Sequence, residues 1–467
     1  MTGITNAQTH LWGTTFNGGT ADTGTIFVAN IDGSNLHKVH SFITATGAGP
    51  TGAMVLANNG KFYGVTFYGG SCGGTGVAYT YDPVTNVYAD IHNFNCNTLT
   101  GFIVYNGPML ASDGNLYGLT TIGGPWGGGG VIYKIDPSTN TYSDIYNFVD
   151  SVGSTAGINP EGTLIQLSDG KLYGMTIQGG TGEDNVGVIF SFNPSDSIYT
   201  ELHSFNKIAG ARPCYGSLLK ATDGKLYGMT TVGGTDSVGV IFSYDVSTNV
   251  FTDVHNFDIT HGAYPNGSLI QATNGLLYGM TVEGGPDSIG VLFSFDITTN
   301  TFTDLFNFDT INGYDPSRSL MQASNGLLFG TTYYGGTNND GVFFSFNTTT
   351  NTYAVLYNFD GLINGGIPAS DIIEVPDSIT MSGIPMITNN NNISIYPNPN
   401  NGNFTISNHL NLSNNELQII DVLGRVVYKT TLSGDNNSID VSYLSDGVYF
   451  YQLTNNKETM RGKFVKE

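Results

Sequence analysis

Several charged side chains lie in the irregular parts of this sequence, outside the positions that repeat along it. They are Glu161, Glu183, Glu283, Asp315, Arg212 and Arg318. Two carboxyl groups about 5–9 Å apart can cleave a glycosidic bond. No fixed spacing links these acids, and no nucleophile elbow accompanies them. A polysaccharide-degrading enzyme, glycosidase or lyase, is therefore an alternative beside solvated loop acids, and no catalytic residue is assigned.

Aromatic side chains and two arginines in the same irregular segments favour binding over catalysis. Aromatic faces pack against sugar rings or apolar side chains, and an arginine fork pairs with a carboxylate. The predicted ligand-binding residues are Tyr68, Trp126, Arg212, Tyr215, Tyr264, Tyr314, Arg318 and Tyr334. These residues differ from one segment to the next, as recognition of one ligand requires. The alternative is that they pack locally.

Histidines recur at one position of the chain and raise the question of a metal site. They are His40, His92, His203 and His255, and Tyr146, Phe306 and Tyr357 stand at the same position elsewhere. A position that Phe satisfies equally well is typical of aromatic packing, so we predict neither a metal nor a cofactor. The acids two residues earlier are expected to be solvated on an outer strand. They are Asp90, Asp144, Glu201, Asp253 and Asp304.

The cysteines and the overall charge limit the partners. Cys72 and Cys96 are candidates for a local disulfide, which would leave Cys214 free, and no zinc pattern is present. Lys and Arg total 15 against 37 Asp and Glu, for a net charge of −22. An acidic chain of this kind disfavours nucleic acid as a partner. No apolar run approaches the ~20 residues that a transmembrane segment needs.

A phrase that occurs seven times sets the positions of all these side chains. Its clearest copy is Lys225-Leu-Tyr-Gly-Met-Thr-Thr-Val-Gly-Gly234. The first glycine of the phrase recurs at Gly13, Gly64, Gly118, Gly174, Gly228, Gly279 and Gly330. Repeats with a period of roughly 50 residues and four short strands each are typical of propeller blades. We therefore predict an all-β protein with a seven-bladed β-propeller of four-stranded blades.

The turns determine which side chains share a face. In one unit the predicted strands are residues 216–221, 225–230, 240–244 and 251–257. Polar hairpin turns join the first strand to the second and the third to the fourth. The other two connections, from second to third strand and from fourth strand to the next unit, lie on the opposite face, which we call the loop face. The predicted ligand-binding residues fall in these loop-face connections.

The chain ends predict how the ring closes. The sequence enters at a second strand, residues 11–15, and residues 370–375 match a first strand. We expect residues 370–375 to complete the first blade, so that no blade edge stays open. The predicted domains are a propeller over residues 1–376, a polar linker over 377–392 and a small C-terminal β-sandwich over 393–467, which shows alternating apolar residues.

The repeated pattern of Tyr-Gly-Met-Thr, Gly-Gly, Gly-Val-Ile-Phe and His-Asn-Phe resembles the Gloeo/Verruco tandem-repeat (GloVer) family and, more distantly, kelch repeats. The resemblance covers about residues 10 to 375. The third copy departs from the pattern at residues 106–110 and 126–130. The resemblance implies kelch-like four-stranded blades and no settled activity.

The C-terminal region carries motifs of another kind, which follow one another in order. They are Tyr396-Pro397-Asn398-Pro399, Gly424-Arg425, a turn at Gly447 and a basic end at Lys463. The region resembles the type A C-terminal sorting domain of the type IX secretion system of Bacteroidota. The resemblance implies the type IX machinery as a partner and a secreted protein at the outer-membrane surface or outside the cell. The alternative is a generic sandwich.

Six Asp-Ser or Asp-Thr pairs followed by an apolar residue resemble the acceptor of periplasmic O-glycosylation in the same bacteria. The acceptor residues would be Ser151, Ser197, Ser237, Ser288, Thr310 and Ser378. Asp and Ser also suit turns, so both interpretations stay open.

The predicted function is recognition by a secreted or cell-surface-anchored protein. Its loop face would contact an extracellular glycan or a surface protein. The alternatives are the polysaccharide-degrading enzyme and a structural component of a surface layer.

Overall fold

The computed structural model divides the chain into two compact units, residues 1–377 and 378–467, which we describe separately. It describes residues 9–72, 74–94, 100–125, 128–149, 157–181, 184–316, 318–376, 393–396, 401–408, 415–420, 426–432, 436–445, 447–454 and 459–466. Within these residues all regular structure is β-strand. The sequence prediction of an all-β chain is confirmed.

Seven antiparallel sheets of four or five strands account for most of the described part of the first unit. Sheet 1 contains β1 (Thr9–Asn17), β2 (Thr25–Asn30), β3 (His37–Ser41), β31 (Gly366–Pro368) and β32 (Ile373–Pro376). Sheet 2 contains β4 (Ala48–Leu56), β5 (Phe62–Tyr68), β6 (Val77–Asp82) and β7 (Val87–Asn93). Sheet 3 contains β9 (Met109–Leu110), β10 (Leu116–Thr120), β12 (Val131–Asp136) and β13 (Thr141–Asn147). Beside it β8 (Gly101–Phe102) pairs with β11 (Ile122–Gly123).

The remaining four sheets of this unit repeat the same order. Sheet 4 contains β14 (Ile165–Gln166), β15 (Leu172–Thr176), β16 (Val188–Asn193) and β17 (Ile198–Ser204). Sheet 5 contains β18 (Leu219–Lys220), β19 (Leu226–Thr230), β20 (Val240–Asp245) and β21 (Val250–Asn256). Sheet 6 contains β22 (Ala263–Pro265), β23 (Ile270–Gln271), β24 (Leu277–Glu283), β25 (Val291–Asp296) and β26 (Thr301–Asn307). Sheet 7 contains β27 (Met321–Gln322), β28 (Leu328–Thr331), β29 (Val342–Asn347) and β30 (Thr352–Asn358). The first strand of most sheets is shorter than the sequence predicts.

The strand that closes sheet 1 comes from the far end of the unit. Strand β32 pairs antiparallel with β1, with Val375 opposite His10 and Ile373 opposite Trp12. Strand β31 adds a second contact, with Pro368 opposite Thr15. The two ends of the repeated region therefore belong to one sheet, which removes an exposed edge.

The second strand of each sheet has a glycine where a neighbouring aromatic ring leaves no room for a side chain. A Cβ on Gly228 would lie 2.4 Å from Cζ of Phe242 on the next strand. The equivalent glycines of the other six sheets face a Phe or Tyr ring in the same way, at 2.3 to 2.6 Å. These rings are buried and cannot move aside.

We expect Gly228→Ala to destabilise the first unit by about 1–3 kcal/mol, because the added methyl overpacks the core. The change is measured as a shift of the denaturant midpoint. Phe242→Leu shortens the opposing ring, so the double variant should lose less stability than the two single changes summed. An unchanged midpoint for Gly228→Ala would contradict the packing described.

Stacked rings join neighbouring sheets at the recurring histidine position. His92 stacks on Tyr142 at 3.6 Å, His203 on Phe251 at 4.0 Å, and His255 on Phe302 at 4.2 Å, with interplanar angles of 5 to 6°. His40 with Tyr88, Tyr146 with Tyr199 and Phe306 with Tyr353 form the same stack. The histidines are aromatic packing residues, as the sequence predicts. Burial lowers the pKa of His40, His92, His203 and His255 to about 4.

Three of the five acids two residues before these rings correct a sequence prediction, whereas Asp90 is exposed as predicted. Asp144, Asp253 and Asp304 are only partly exposed, and burial raises the pKa of each carboxyl. Asp253 accepts a hydrogen bond from Asn256 Nδ2 at 2.7 Å. A bulge in the pairing of the last two strands lies next to each acid. They are therefore not simply solvated edge residues.

Hydroxyl side chains link adjacent sheets close to where their first strands begin. The backbone N–H of Thr163 donates to Ser217 Oγ, that of Ser217 to Ser268 Oγ, and that of Ser268 to Ser319 Oγ, at 2.8 to 3.0 Å. The N–H of Ser319 donates to Asp371 Oδ1 at 2.7 Å. The segment before β32 thus continues the same series of contacts and joins sheet 7 to sheet 1.

The second unit contains two antiparallel sheets. One has β33 (Ile393–Tyr396), β34 (Asn403–Asn408) and β37 (Asn436–Asp440). The other has β35 (Asn415–Ile420), β36 (Val426–Leu432), β38 (Gly447–Thr454) and β39 (Thr459–Lys466). Apolar side chains of both sheets, including Ile406, Ile439, Leu417 and Leu453, form one buried core.

The described residues contain no cluster of three or more His, Cys, Asp or Glu side chains placed to hold a metal ion. A helix able to cross a membrane is likewise not found among them.

Candidate functional site

A cavity of about 470 Å³ opens in the first unit among loop-face connections. Aromatic side chains form most of its wall. Its lining consists of Phe16, Asn17, Thr51, Phe67, Tyr68, Tyr105, Tyr215, Asn266, Arg318, Tyr333, Tyr334, Ile367 and Ala369. The volume falls in the range of ~300–1,000 Å³ that is usual for small-molecule sites.

Two kinds of connection supply this lining. The ends of the second strands contribute Phe16 and Asn17 in sheet 1, Phe67 and Tyr68 in sheet 2, and Tyr333 and Tyr334 in sheet 7. The segments that lead into the first strands contribute the residues Thr51, Tyr105, Tyr215, Asn266, Arg318 and Ala369. Sheets 7, 1 and 2 thus place aromatic side chains on the cavity wall. Strands β31 and β32, which follow sheet 7 along the chain, pair with β1 of sheet 1.

The rings form a continuous contact along one side of the cavity. Phe16 contacts Tyr68 at 5.9 Å, Phe67 contacts Tyr105 at 5.3 Å, and Tyr105 contacts Tyr215 at 5.2 Å between ring centroids. Tyr68 is half exposed. Exposed ring faces of this kind can pack against the C–H faces of a sugar.

The hydroxyl groups of the cavity tyrosines differ from those of several tyrosines between the sheets. Tyrosines between sheets bond to turn residues, for example Tyr173 to Asp169 at 2.9 Å and Tyr227 to Asp223 at 3.0 Å. Within the described residues, the hydroxyl groups of the five cavity tyrosines make no hydrogen bond. These are Tyr68, Tyr105, Tyr215, Tyr333 and Tyr334. Burial raises the pKa of Tyr105 and of Tyr215, so both hydroxyls stay protonated and can donate.

Arg318 is the only cationic side chain among the described residues that line the cavity, and it is 7% exposed. Its Nη2 donates to Thr51 Oγ1 at 2.9 Å, and its Nη1 lies 3.4 Å from Asn106 Oδ1. Its Cζ lies 5.7 Å from the centre of the Tyr333 ring. The buried Nε has no partner in the described chain.

The side chain of Asn106 joins Arg318 to other chain segments by hydrogen bonds. Its Nδ2 donates to the carbonyl of Glu161 at 2.7 Å and to that of Tyr215 at 3.2 Å. The amide therefore ties Arg318 to two other segments that lead into first strands.

Glu161 lies near Tyr105 and Tyr215, and only 8% of its surface is exposed. Its Oε2 is buried and has no partner among the described residues. Burial raises the pKa of this carboxyl to about 7, and the nearby Arg212 guanidinium offsets only part of the effect. At neutral pH a large fraction of Glu161 therefore carries a proton.

Tyr215 lies in a segment that has one more residue than its counterparts. Two residues separate Pro213 from Gly216, whereas one residue separates Pro50 from Gly52 and Pro265 from Gly267. The additional residue gives Tyr215 a φ of 58°, in the left-handed region that non-glycine residues seldom occupy. Strain of this kind concentrates at functional sites.

The cavity contains four of the eight residues predicted to bind a ligand: Tyr68, Tyr215, Arg318 and Tyr334. Tyr314 lies at its edge, where its ring is 5.5 Å from that of Tyr334. Arg212 and Tyr264 do not line it. Each occupies a left-handed position before a proline, with a φ of 54° and 53°. Trp126 lies outside the described residues.

The remaining predicted acids are dispersed. Glu283 is exposed at the end of β24, Asp315 is partly buried, and Glu183 lies outside the described residues. Phe16, Phe67, Tyr105 and Tyr333 were not predicted. A signal for three of them exists, since Phe16, Phe67 and Tyr333 share a position that holds Thr, Ile or Val in the other copies.

Other predicted sites are placed as follows. Cys72 is disulfide-bonded and Cys214 is free, while the predicted partner Cys96 lies outside the described residues. Ser197, Ser237, Ser288 and Thr310 are exposed, and the first three have a φ of 58 to 61°. Ser151 and Ser378 lie outside the described residues.

The tail motifs are described only in part. The backbone of Tyr396 ends β33, Gly447 begins β38, and Lys463 pairs with Phe450 in the strand ladder. Pro397, Asn398, Pro399, Gly424 and Arg425 lie outside the described residues.

Two family models match the sequence. The Gloeobacter/Verrucomicrobia repeat matches residues 1–156, 74–287 and 185–394. The secretion system C-terminal sorting domain matches residues 394–467. A domain of this kind indicates export by type IX secretion to the cell surface or the extracellular space, and interaction with that machinery. The search of curated proteins returned no match.

Solved structures with similar folds share little sequence. A protein from Lactobacillus plantarum has a TM-score of 0.51 at 14% identity, over 79% of this chain and 99% of its own. A candidate 6-phosphogluconolactonase from Bacteroides fragilis has a TM-score of 0.53 at 14% identity, and the match covers 80% of this chain and 100% of that protein. PorZ, a surface component of the type IX secretion system of Porphyromonas gingivalis, has a TM-score of 0.42 at 13% identity. This match covers 96% of this chain and 64% of PorZ. At these identities the likeness to the first two structures supports a propeller-like fold alone.

Proposed function

Since the chain belongs to the Gloeobacter/Verrucomicrobia repeat family and carries a secretion sorting domain, we propose that it is an exported recognition protein that binds an extracellular glycan in its loop-face cavity. One observation carries the proposal. Five tyrosines whose hydroxyl groups make no hydrogen bond within the described residues surround the same cavity as the buried Arg318.

The architecture that we propose for this function is a closed seven-bladed propeller. Seven described sheets and the pairing of β32 with β1 support it. The proposed domains are the propeller over residues 1–376, a linker over 377–392 and a sorting sandwich over 393–467. The shared core of the two tail sheets supports the sandwich.

The chemistry of the lining suits a sugar better than a protein surface. Ring faces accept the C–H face of a pyranose, and the phenol hydroxyls, Asn17 and Asn266 can exchange hydrogen bonds with its hydroxyl groups. A concave site of this size encloses one or two rings and orients them with few polar groups. A protein partner would need a far larger surface.

Glu161 favours a second candidate function, cleavage of the bound glycan. A carboxyl with a pKa of about 7 could serve as a general acid. A second carboxylate would be needed, and the described residues of the cavity lining include none. Binding without cleavage is therefore the better-supported function.

The test is a glycan array followed by titration of the hits and a reducing-end assay. Tyr68→Ala should weaken binding about five- to a hundredfold, taking for a sugar the ~1–3 kcal/mol that stacking on one aromatic ring contributes for a nucleobase. Tyr443→Ala is the matched control, because this exposed tyrosine belongs to the second unit. Equal losses for the two variants would contradict a site in the cavity.

The reducing-end assay separates the two functions. No new reducing ends are expected from any array hit. Product formation that Glu161→Gln abolishes would establish the enzyme instead. Binding by no glycan at all would remove the recognition proposal and favour a structural surface-layer role.

A further inference from the structure

The position of Arg318 breaks the repeat. The residue before the Ser-Leu, Thr-Leu or equivalent pair is Gly52, Gly107, Gly162, Gly216 and Gly267 in five copies and Ser370 in the closing segment. Only at 318 does a long, charged side chain stand there.

The glycines at this position are required by close packing of neighbouring segments. A Cβ on Gly162 would lie 2.1 Å from the carbonyl oxygen of Gly216, and one on Gly216 would lie 2.5 Å from that of Gly267. An arginine in the same series therefore replaces the residue that packing favours. Arg318 instead places a charged side chain in the cavity lining.

The neighbours of Arg318 leave its charge incompletely paired. Its two hydrogen-bond acceptors, Thr51 and Asn106, are neutral, and no described carboxylate forms an ion pair with it. Burial raises the pKa of the Asp371 carboxyl and the Arg318 charge offsets part of this effect, but no ion pair or hydrogen bond joins the two side chains. A buried cation with neutral partners is costly unless an anion pairs with it.

The cavity lining is also free of opposing charge. Its described residues include no Asp or Glu, although the whole chain carries a net charge of −22. An anion inside the cavity would thus meet one guanidinium and several phenol donors. Arg318 lies beside Tyr333, whose ring contacts that of Tyr334, so a ligand paired with the guanidinium would also lie near aromatic rings.

From this arrangement we infer that the cavity selects an acidic sugar, a uronic acid residue whose carboxylate pairs with Arg318. The inference rests on the proposed glycan-binding function and specifies its ligand. A carboxylate fits the planar guanidinium in a bidentate pair, which a neutral sugar cannot form.

The experiment is calorimetric titration of the full chain with two matched probes, galacturonic acid trisaccharide and galactose trisaccharide. We expect the acidic probe to bind about ten- to a hundredfold more tightly, because a hydrogen-bonded charge pair strengthens binding by about that factor. Raising the salt concentration should weaken the acidic probe alone. A sulfated galactose trisaccharide tests whether any anion suffices. Equal binding of the sulfated and acidic probes would overturn the carboxylate assignment.

The matched variant is Arg318→Gly, which restores the residue of five other copies and should fold. It should remove the difference between the acidic and neutral probes. Lys220→Gln removes an exposed charge elsewhere in the first unit and should leave the difference unchanged. If both probes bind equally to the parent chain, glycan recognition stands and the inference about acidic sugars is wrong. If neither probe nor any array glycan binds, the proposed function fails as well.

Discussion

A chain that ends after Asn364 should fail to give a cooperatively folded first unit, whereas a chain that ends after Val375 should fold. The longer chain keeps β31 and most of β32, and the shorter chain keeps neither. Loss of both strands removes the buried side chains of Ile372 and Val375 from the core and exposes one edge of β1. Each buried aliphatic side chain contributes about 1.5–3 kcal/mol, and the ladder hydrogen bonds add to this. The sum approaches the ~5–15 kcal/mol that stabilises a whole domain.

The measurement is thermal unfolding of both chains, followed by far-ultraviolet circular dichroism. Both lack the second unit, so its removal is common to the two and cannot explain a difference. We expect a sharp transition for the chain ending at Val375 and none for the shorter one. Equal transitions would show that the pairing of β32 with β1 does not hold the unit closed.

The stacked histidines should make the first unit sensitive to acid. In the folded chain His40, His92, His203 and His255 have a pKa of about 4, below the ordinary value of 6.5. As the pH falls from 6.5, the unfolded chain therefore binds protons that the folded chain does not. The stability that neutral histidines contribute is complete above pH 6.5 and falls progressively until the pH reaches about 4.

Replacing all four histidines by Phe, as Phe306 already stands in sheet 6, should remove this sensitivity. Partial exposure weakens the effect, so we expect on the order of 1 kcal/mol for each histidine at pH 4.5. Buried carboxyls such as Asp253 have raised pKa values and act in the opposite direction. The comparison is therefore between the parent and the variant, as the difference in melting temperature between pH 7 and pH 4.5. The same difference in both chains would refute neutral, stacked histidines.

Much of the fold can be predicted from the repeat. A glycine that recurs once in every copy marks each second strand, because a neighbouring ring fills the space beside it. The presence of Phe306 at the position that His255 holds in another copy is enough to predict ring stacking. These features are predictable because they occur many times and obey one steric rule.

The site is predictable only where it departs from the repeat. Arg318 stands out against glycine in five other copies, and Tyr333 stands out against Thr, Ile or Val in four. Arg212 and Tyr264 also stand out, yet they occupy left-handed positions beside the cavity lining rather than in it. The direction of a loop side chain depends on backbone conformation, which residue type does not reveal.

Tyr105 shows a second limit. It leads into sheet 3 and contacts Phe67 of sheet 2 and Tyr215 of the segment before sheet 5. These rings meet only because separate segments converge in the folded unit. A pattern confined to one copy of the repeat cannot show such convergence.

The most direct test of the account is a crystal structure of the chain with the tightest ligand from the glycan array. We predict electron density for the ligand inside the cavity, with a sugar ring against Tyr68 or Tyr105 and a polar group within hydrogen-bonding distance of the Arg318 guanidinium. Density for the ligand at any other surface, with the cavity empty, would contradict the assignment of the recognition site.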